Sequence, residues 1–234
     1  MTLLQIIQQA MEEMGLTKPN AVVSSADTTV TQFLALANGL GRRLVKAYAW
    51  QALQSEHTFN TVASTASYSL PADFDRFINQ TQWDRTNTWP MNGPQTGQQW
   101  QDLKSGISSA GLRKRYRVKG NLFYIDPTPS SVDACAFEYI SSYFALDTDG
   151  TTYKAAFAAD TDTSVFDDLL MTDGLKLAFA QAKGFDTSGL ANAFNATLLN
   201  LTGTDGGAPK LNLAPVGRSM LMGYDNIPET GYGS

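Results

Sequence analysis

The chain has 234 residues and a formal net charge of −5; 43% of its residues are hydrophobic and only 17% are charged. Its twelve Phe, nine Tyr and four Trp residues exclude a fibrous or fully disordered protein. No apolar run approaches the roughly 18 residues of a membrane span, and the first fifteen residues lack the features of a signal peptide. We therefore expect a soluble protein without a membrane partner.

The residue types that carry much of enzyme and metal chemistry are scarce, since cysteine and histidine occur once each, as Cys135 and His57. A single cysteine cannot form an internal disulfide, and one histidine leaves little for a metal site. The chain also lacks the nucleophile-elbow, dinucleotide-binding, phosphate-binding and zinc-protease motifs. We expect a strand position for His57 and a buried one for Cys135, with no catalytic residue, metal or cofactor.

The net charge conceals an asymmetry between the two halves of the chain. Residues 1–119 hold twelve Lys and Arg against eight Asp and Glu, a net charge of +4, whereas residues 120–234 hold five against fourteen, a net charge of −9. A basic and an acidic half allow copies of the chain to associate with each other. Alternatively, both halves carry ordinary solvated surfaces.

Helical periodicity opens the chain. Apolar residues recur at helical spacing after Thr2, a candidate cap, and the pattern ends at Gly15. A second helix of about 24 residues begins at Asp27. This helix contains small residues that permit close approach of a neighbouring helix, and they are Ala35, Ala37, Gly39 and Gly41.

From about residue 55 the apolar pattern changes to a period of two, which indicates strands. The predicted strands are 57–62, 66–70, 79–83, 122–125 and 134–143, and a short helix is predicted at 96–103. Helical periodicity returns with two further helices that end near Gly184 and Gly203. Residues 208–234 contain prolines and glycines and no usable period, so they are expected either to stay disordered or to lie along a partner.

This order of elements predicts an α+β fold. The N- and C-terminal helix pairs form one antiparallel helical bundle, and a β-rich, sandwich-like domain is inserted between them. The expected divisions are 1–54 and 163–204 for the helical domain, 55–162 for the inserted domain, and 205–234 for an extended C-terminal segment.

The strongest local feature is a basic run from Arg113 to Lys119, which holds five of the 17 Lys and Arg residues. In a strand, one face carries four cations, namely Arg113, Arg115, Arg117 and Lys119. Three interpretations are open. The cations line a DNA path through phosphate contacts without reading sequence, they pair with the acidic half of a neighbouring copy, or they form a solvated edge strand.

Several stretches in order resemble one family of viral proteins. These stretches are Leu36-Ala-Asn-Gly-Leu-Gly-Arg42, Trp50-Gln-Ala-Leu-Gln-Ser-Glu56, Tyr68-Ser-Leu-Pro-Ala-Asp-Phe-Asp-Arg76, Trp83-Asp-Arg85, Gly93-Pro94, Trp100-Gln-Asp-Leu103, Phe137-Glu-Tyr-Ile-Ser141, Ala182-Lys-Gly-Phe-Asp186 and Gly206-Gly-Ala-Pro209. Together they span nearly the whole chain. In this ordered set the sequence resembles the head-to-tail adaptors of short-tailed phages, also called tail accessory factors or tubular tail proteins.

The resemblance implies a virion protein at the head–tail junction, present in the host cytoplasm before assembly. It implies a ring of about twelve copies that joins the portal protein to the tail nozzle protein. Double-stranded DNA would pass through the channel without sequence-specific binding. The small residues of the second helix would serve lateral packing between copies. The C-terminal segment would dock on the portal, and its candidate contacts are Leu211, Leu213, Val216, Arg218, Met220 and Tyr224.

Two alternatives are left open. One is a virion-associated peptidoglycan hydrolase of the muramidase type, because a pair of carboxylates suffices for glycoside cleavage. The chain has only five glutamates for that role, at Glu12, Glu13, Glu56, Glu138 and Glu229. The other is a minor capsid or neck protein whose β-rich domain binds something other than a nozzle.

Overall fold

The structure is a computed structural model, and it describes residues 1–106, 111 and 113–206. Within these ranges, five helices and three antiparallel sheets confirm the predicted α+β class. The apolar side chains form two clusters, one among the helices and one beneath the larger sheet.

The first two helices begin where the sequence predicts. Helix α1 covers Leu3–Glu13, and Thr2 caps it in a capping box with Gln5. Helix α2 covers Thr28–Ala47, and the Asp27 side chain accepts from the main-chain N–H of Thr29. This helix has 20 residues and is shorter than predicted, because Tyr48 adopts extended backbone with φ −148°.

Three helices follow. Helix α3 covers Gly97–Ser105, and Thr96 caps it. Helix α4 covers Asp168–Lys183 and ends at Gly184, which adopts φ 74°, a conformation that favours glycine. Helix α5 covers Ser188–Asp205. A 3-10 turn, Gln51–Leu53, leads from the end of α2 into the first strand.

Eleven short strands form the three sheets among the described residues. The strands are β1 Gln54–Asn60, β2 Ser67–Ser69, β3 Phe74–Phe77, β4 Trp83–Asp84, β5 Trp89–Pro90, β6 Arg115–Lys119, β7 Leu122–Asp126, β8 Ala134–Ser141, β9 Ala145–Leu146, β10 Tyr153–Lys154 and β11 Thr163–Ser164. The five-stranded sheet has the order β1-β8-β4-β5, and β3 also pairs with β8. The other sheets have the orders β2-β7-β6 and β10-β9-β11.

Strand β8 joins the two clusters of apolar side chains. Cys135, Phe137 and Tyr139 point into the cluster beneath the sheet. Ile140, on the opposite face as the period of two requires, belongs to the helical cluster. The Phe137 ring stacks on Phe123 of β7 at 5.5 Å between centroids, so the five-stranded sheet packs on the sheet β2-β7-β6.

Helix α4 is the centre of the helical part, because α1, α2 and α5 all pack on it. Phe33 of α2 stacks on Phe179 of α4 with ring centroids 4.6 Å apart. Gly174 allows close packing on both sides of α4, since a Cβ there would lie 2.6 Å from Leu40 and 3.0 Å from Phe194 of α5.

Strands β9 and β10 of the small sheet lie in the stretch 55–162 that the sequence assigned to the β-rich domain, whereas β11 lies in the predicted helical stretch 163–204. Phe144 and Phe157, which flank this sheet, nevertheless belong to the helical cluster, with ring centroids 5.4 Å apart. The main-chain N–H of Leu3 also donates to the carbonyl of Asp162 at 2.7 Å. Packing therefore joins this small sheet to the helices, while the predicted domain divisions stay predictions.

The strand predicted at 79–83 is largely wrong. Only Trp83 belongs to a strand, because Gln80 takes the left-handed conformation with φ 65° and turns the chain before β4. The paired segment is instead β3, which follows Pro71 after a short turn. A four-residue strand next to a turn gives too short an alternation for the sequence pattern to reveal it.

Candidate assembly surfaces

The predicted basic strand exists as β6, and its side chains alternate as expected. Tyr116 is 2% exposed and stacks on Phe123 at 5.0 Å. Arg115 and Arg117 are half-buried on the opposite face, and Lys119 is exposed at the end of the strand. Arg113 is exposed and precedes the strand.

The cations on this face lack acidic partners within the described part of the chain. Every ion pair found there involves other basic groups, so Arg113, Arg115, Arg117 and Lys119 form no ion pair in residues 1–106, 111 and 113–206. The carboxylate of Asp126, which lies opposite Arg115 in the register of β6 and β7, pairs with Lys104 instead. Such a group of unpaired cations is available to a phosphate or a carboxylate outside the chain. The geometry does not choose between DNA, a neighbouring copy and solvent.

The edge of β6 is held in place by the segment before α3. Asn92 donates from its main-chain N–H to the carbonyl of Lys114 at 2.9 Å and accepts from Tyr116 N–H at 3.0 Å. Gln95 N–H donates to the Tyr116 carbonyl at 2.9 Å. These bonds cover part of the strand edge, so the side chains of β6 rather than its backbone are presented outward.

Lys114 differs from its basic neighbours because it is buried. Its Nζ donates to Asp133 at 2.7 Å and also pairs with Asp84, and each of the three side chains is at most 10% exposed. Asp84 further accepts from Asn87 N–H at 3.0 Å, and Asp133 from the Ser131 hydroxyl at 3.1 Å. The three charges thus tie β6 to β4 and to the start of β8.

Burial and hydrogen bonding act in opposite directions on this cluster. Burial opposes the charged form of Asp84, but hydrogen bonds from Lys114 and Asn87 outweigh it and hold the pKa of Asp84 below its ordinary value. Burial likewise opposes the charge on Lys114, and hydrogen bonds to Asp133 and Asp84 outweigh it and raise the pKa of Lys114. The alternation of a strand places Lys114 on the same face as Tyr116, opposite the four cations, but it gives no sign of the two carboxylate partners.

The small residues of α2 do not form one outward surface, which corrects the prediction of a lateral packing stripe. Ala37 is fully buried, and a Cβ at Gly41 would overlap the ring of Phe144. These two positions serve packing within the chain. Ala35 is exposed and Gly39 is half-buried, so lateral packing between copies stays a prediction for them alone.

Arg76 of β3 connects the larger sheet to the end of α2. Its Nη2 donates to the main-chain carbonyl of Tyr48 at 2.7 Å and to that of Val45 at 3.2 Å, and Nη1 donates to Val45 at 3.1 Å. Asp75 accepts from Arg76 at 2.7 Å and also pairs with Lys46. Sequence reasoning missed this joint, because 28 residues separate Arg76 from Tyr48.

His57 and Cys135 occupy the positions expected of them. His57 lies in β1 with its ring 5.1 Å from that of Phe137, and burial lowers its pKa, partly opposed by Asp73. Cys135 is 1% exposed, and burial raises the pKa of its thiol to about 12. The described residues contain no group of three or more His, Cys, Asp or Glu side chains arranged to hold a metal ion.

Four of the five glutamates lie in the described ranges. Glu12 pairs with Lys18, and Glu13 pairs with Lys176. Glu56 and Glu138 face each other in the register of β1 and β8, and Arg85 pairs with Glu56. Both are exposed and line an open pocket of about 350 Å³ with Trp83 and Arg85, whereas the general acid of a glycoside hydrolase typically lies buried against apolar side chains. The pair therefore gives no specific support to the muramidase alternative.

The candidate portal contacts from Leu211 to Tyr224 lie outside the described residues, as does Glu229. Across the ranges that the structure does describe, no helix combines the length and the apolar character needed to cross a membrane.

The described residues thus combine three antiparallel sheets, a helical cluster centred on α4 and a strand face whose cations form no ion pair among those residues. The sequence model of the SU10 adaptor protein family matches residues 1–211 of the 234, and the chain belongs to this family. It is a structural adaptor protein of a phage virion, and such a role implies contacts with other virion proteins. A comparison with curated proteins found no match.

Proposed function

We propose that the protein forms a ring of about twelve copies that joins the portal to the tail nozzle and encloses the DNA channel. The observation that carries this proposal is the match to the adaptor family along residues 1–211. A closed ring of identical copies requires two different complementary surfaces on each copy. The two halves of the chain differ in net charge, +4 against −9, and this asymmetry would favour contacts between the basic residues of one copy and the acidic residues of the next.

The basic face of β6 is the surface that we assign to the neighbouring copy. Its four cations have no acidic partner within the described ranges, and the acidic half of another copy supplies an excess of carboxylates. If the same cations instead lined the channel, they would attract phosphates of the passing DNA and slow its passage.

The C-terminal segment is assigned to the portal. It has no internal apolar period, so it gains little from folding alone, and a portal surface would supply the buried area that orders it. Monomers would then remain separate until a portal ring offers equivalent sites, and the completed ring would present a new surface to the nozzle.

The test is the particle mass and negative-stain appearance of the purified protein, alone and with an equimolar portal ring. A closed ring on the portal is the expected result. A protein that stays monomeric and does not bind the portal would overturn the proposal. Zymography on peptidoglycan would then test the muramidase alternative. A variant lacking residues 207–234 retains Asp205, which accepts from Gln51 N–H at 2.9 Å. Unchanged portal binding by this variant would contradict the assignment of the C-terminal segment.

A further inference from the structure

An apolar groove runs between α2 and α5 over α4. It has a volume of about 230 Å³, and Gly174, Leu177 and Ala178 of α4 form the apolar part of its floor. Leu40 and Leu44 of α2 line one side, and Phe194 and Leu198 of α5 line the other. Such a groove accepts apolar side chains from an additional segment.

The polar groups at this groove suit an extended peptide. Arg43 and Gln181 are the polar residues that line it. Arg43 donates from Nε to the carbonyl of Gly39 at 3.2 Å, which leaves the Nη groups for other acceptors. A segment without secondary structure carries unpaired main-chain N–H and C=O groups, and both side chains can bond to them.

The described chain ends beside this groove. Gly206 follows α5, and a Cβ built there would lie 3.9 Å from the hydroxyl of Tyr48. Tyr48 is the neighbour of Ala47, which lines the groove. The hydrogen bond from Gln51 N–H to Asp205 holds the end of α5 at this position. Residues 207–234 therefore start at one end of the groove.

The chain that follows α5 is long enough for its first large apolar residues to reach the groove. Leu198 lies about 12 Å back along the helix from Gly206, at roughly 1.5 Å per residue. Five extended residues cover about 17 Å, so Leu211 is the first large apolar side chain that reaches the groove. In an extended segment Leu211 and Leu213 point to the same side, with Asn212 on the other.

We propose that this groove binds residues 209–216 of the same chain before assembly, with the side chains of Leu211 and Leu213 between α2 and α5. Tethering favours this occupant, because a segment joined to the end of α5 has a high effective concentration at the groove. The proposal goes beyond the adaptor ring, since it concerns the isolated chain. In the assembling virion, a segment released from the groove becomes available to a partner.

The test uses the full chain with one cysteine in the groove wall and one in the segment, Ala47→Cys with Leu213→Cys. Ala47 is exposed, so the substitution does not disturb the core. The matched control pairs Ala35→Cys with Leu213→Cys, because Ala35 is exposed on the same helix about 18 Å away. Oxidation at low protein concentration, followed by mass spectrometry of the joined peptides, measures disulfide formation.

We expect the groove pair to form a disulfide within one chain at least about tenfold faster than the control pair. Equal rates for the two pairs, or no disulfide, would overturn the proposal. Disulfides that join two chains would also overturn it, because the occupant would then be the segment of a second copy. The result does not depend on portal binding, so it can fail while the adaptor proposal stands.

A second measurement avoids the disulfide. The thiol of the Ala47→Cys single variant should be modified slowly by a maleimide, because the bound segment covers it. Adding Leu211→Ser and Leu213→Ser should raise the modification rate several-fold. Adding Met220→Ser and Met222→Ser is the matched control and should leave the rate unchanged. If both double variants behaved alike, Leu211 and Leu213 would not be the residues that fill the groove.

Discussion

Arg76 of β3 donates to the main-chain carbonyl of Tyr48, at 2.7 Å, just beyond the end of α2. The same guanidinium reaches the carbonyl of Val45, one of the last carbonyls of the helix, which has no partner within the helix itself. A side chain of the larger sheet therefore completes the C-terminus of a helix from the other part of the molecule. This contact fixes the position of β3 relative to α2.

Replacing Arg76 by methionine should destabilise the protein by about 1.5–3 kcal/mol, because hydrogen bonds from a charged group to two carbonyls are lost while the alkyl packing is retained. Urea denaturation measures the change. Arg85→Met is the matched control, since Arg85 is exposed and its pair with Glu56 should contribute at most about 1 kcal/mol. An equal loss of stability in the two variants would contradict a role for Arg76 in the contact between β3 and the end of α2.

Replacing Lys114 by methionine should cost about 3–5 kcal/mol, because the change leaves Asp84 and Asp133 buried without their cation. Lys119→Met, at the exposed end of the same strand, should change stability by less than about 0.5 kcal/mol. Removing the two carboxylates as well, with Asp84→Asn and Asp133→Asn, should recover part of the loss. A small loss of stability in Lys114→Met would contradict this prediction, because it would mean that water reaches Asp84 and Asp133 once the lysine is removed.

Two glycines of α2 should respond to alanine with opposite signs. A Cβ at Gly41 overlaps the ring of Phe144, so Gly41→Ala should destabilise the chain by about 1–3 kcal/mol. A Cβ at Gly39 meets only the Arg43 side chain at 3.6 Å, so Gly39→Ala should stabilise it by about 0.5–1 kcal/mol through helix propensity. Thermal denaturation of the two variants checks the sign of each change, and destabilisation by both would refute the distinction.

Asp162 should contribute to loss of stability in acid. Burial opposes its charge, but the main-chain N–H groups of Ala158 and Ala159 and the Lys154 ammonium outweigh burial and hold the pKa of Asp162 below its ordinary value. A lowered pKa in the folded state stabilises the protein above the unfolded pKa of about 4, and that stabilisation is lost as the pH falls through the folded pKa.

The measurement is the free energy of unfolding between about pH 6 and pH 3. Asp162→Asn should lower stability at pH 6 and reduce its decrease toward pH 3. An unchanged pH dependence in Asp162→Asn would mean that Asp162 does not contribute to the loss of stability in acid.

The basic face of β6 should matter for assembly rather than for folding. Changing Arg115, Arg117 and Lys119 together to glutamine should weaken ring formation on the portal and reduce its dependence on salt. The matched control changes three cations that already have acidic partners within the chain, namely Lys18, Lys46 and Arg85. Both variants lose the same charge, so equal effects on ring mass would mean that net charge alone, and not this face, governs assembly.

Local chemistry was sufficient to predict several elements from sequence. Thr2 and Asp27 cap the first two helices as expected, because their side chains need only main-chain N–H groups two or three residues away. Strand β8 was recognised because its eight residues give a long alternation. The two-residue strands β9, β10 and β11 give no such pattern and were missed.

Contacts between distant residues decided the rest. The small residues of α2 suggested lateral packing between copies, but Phe144, which is distant in sequence, packs against Gly41 and makes that position internal. The alternation along the strand separated Lys114 from the four cations on the other face, but it did not reveal that Asp84 and Asp133 pair with Lys114 in the interior. Nothing in the spacing along the chain reveals such partners, because packing brings them together across 30 and 19 residues.

By itself the sequence determined the α+β class, the starts of α1 and α2, the alternation of β6 and the resemblance to phage adaptors, since each of these depends on local periodicity or on residues in order. The tertiary structure alone decided which charges are buried, which glycines face the core and where the groove between α2 and α5 lies. The physical reason is that burial and pairing depend on the surroundings of a side chain in space, and those surroundings come from segments that the sequence holds far apart.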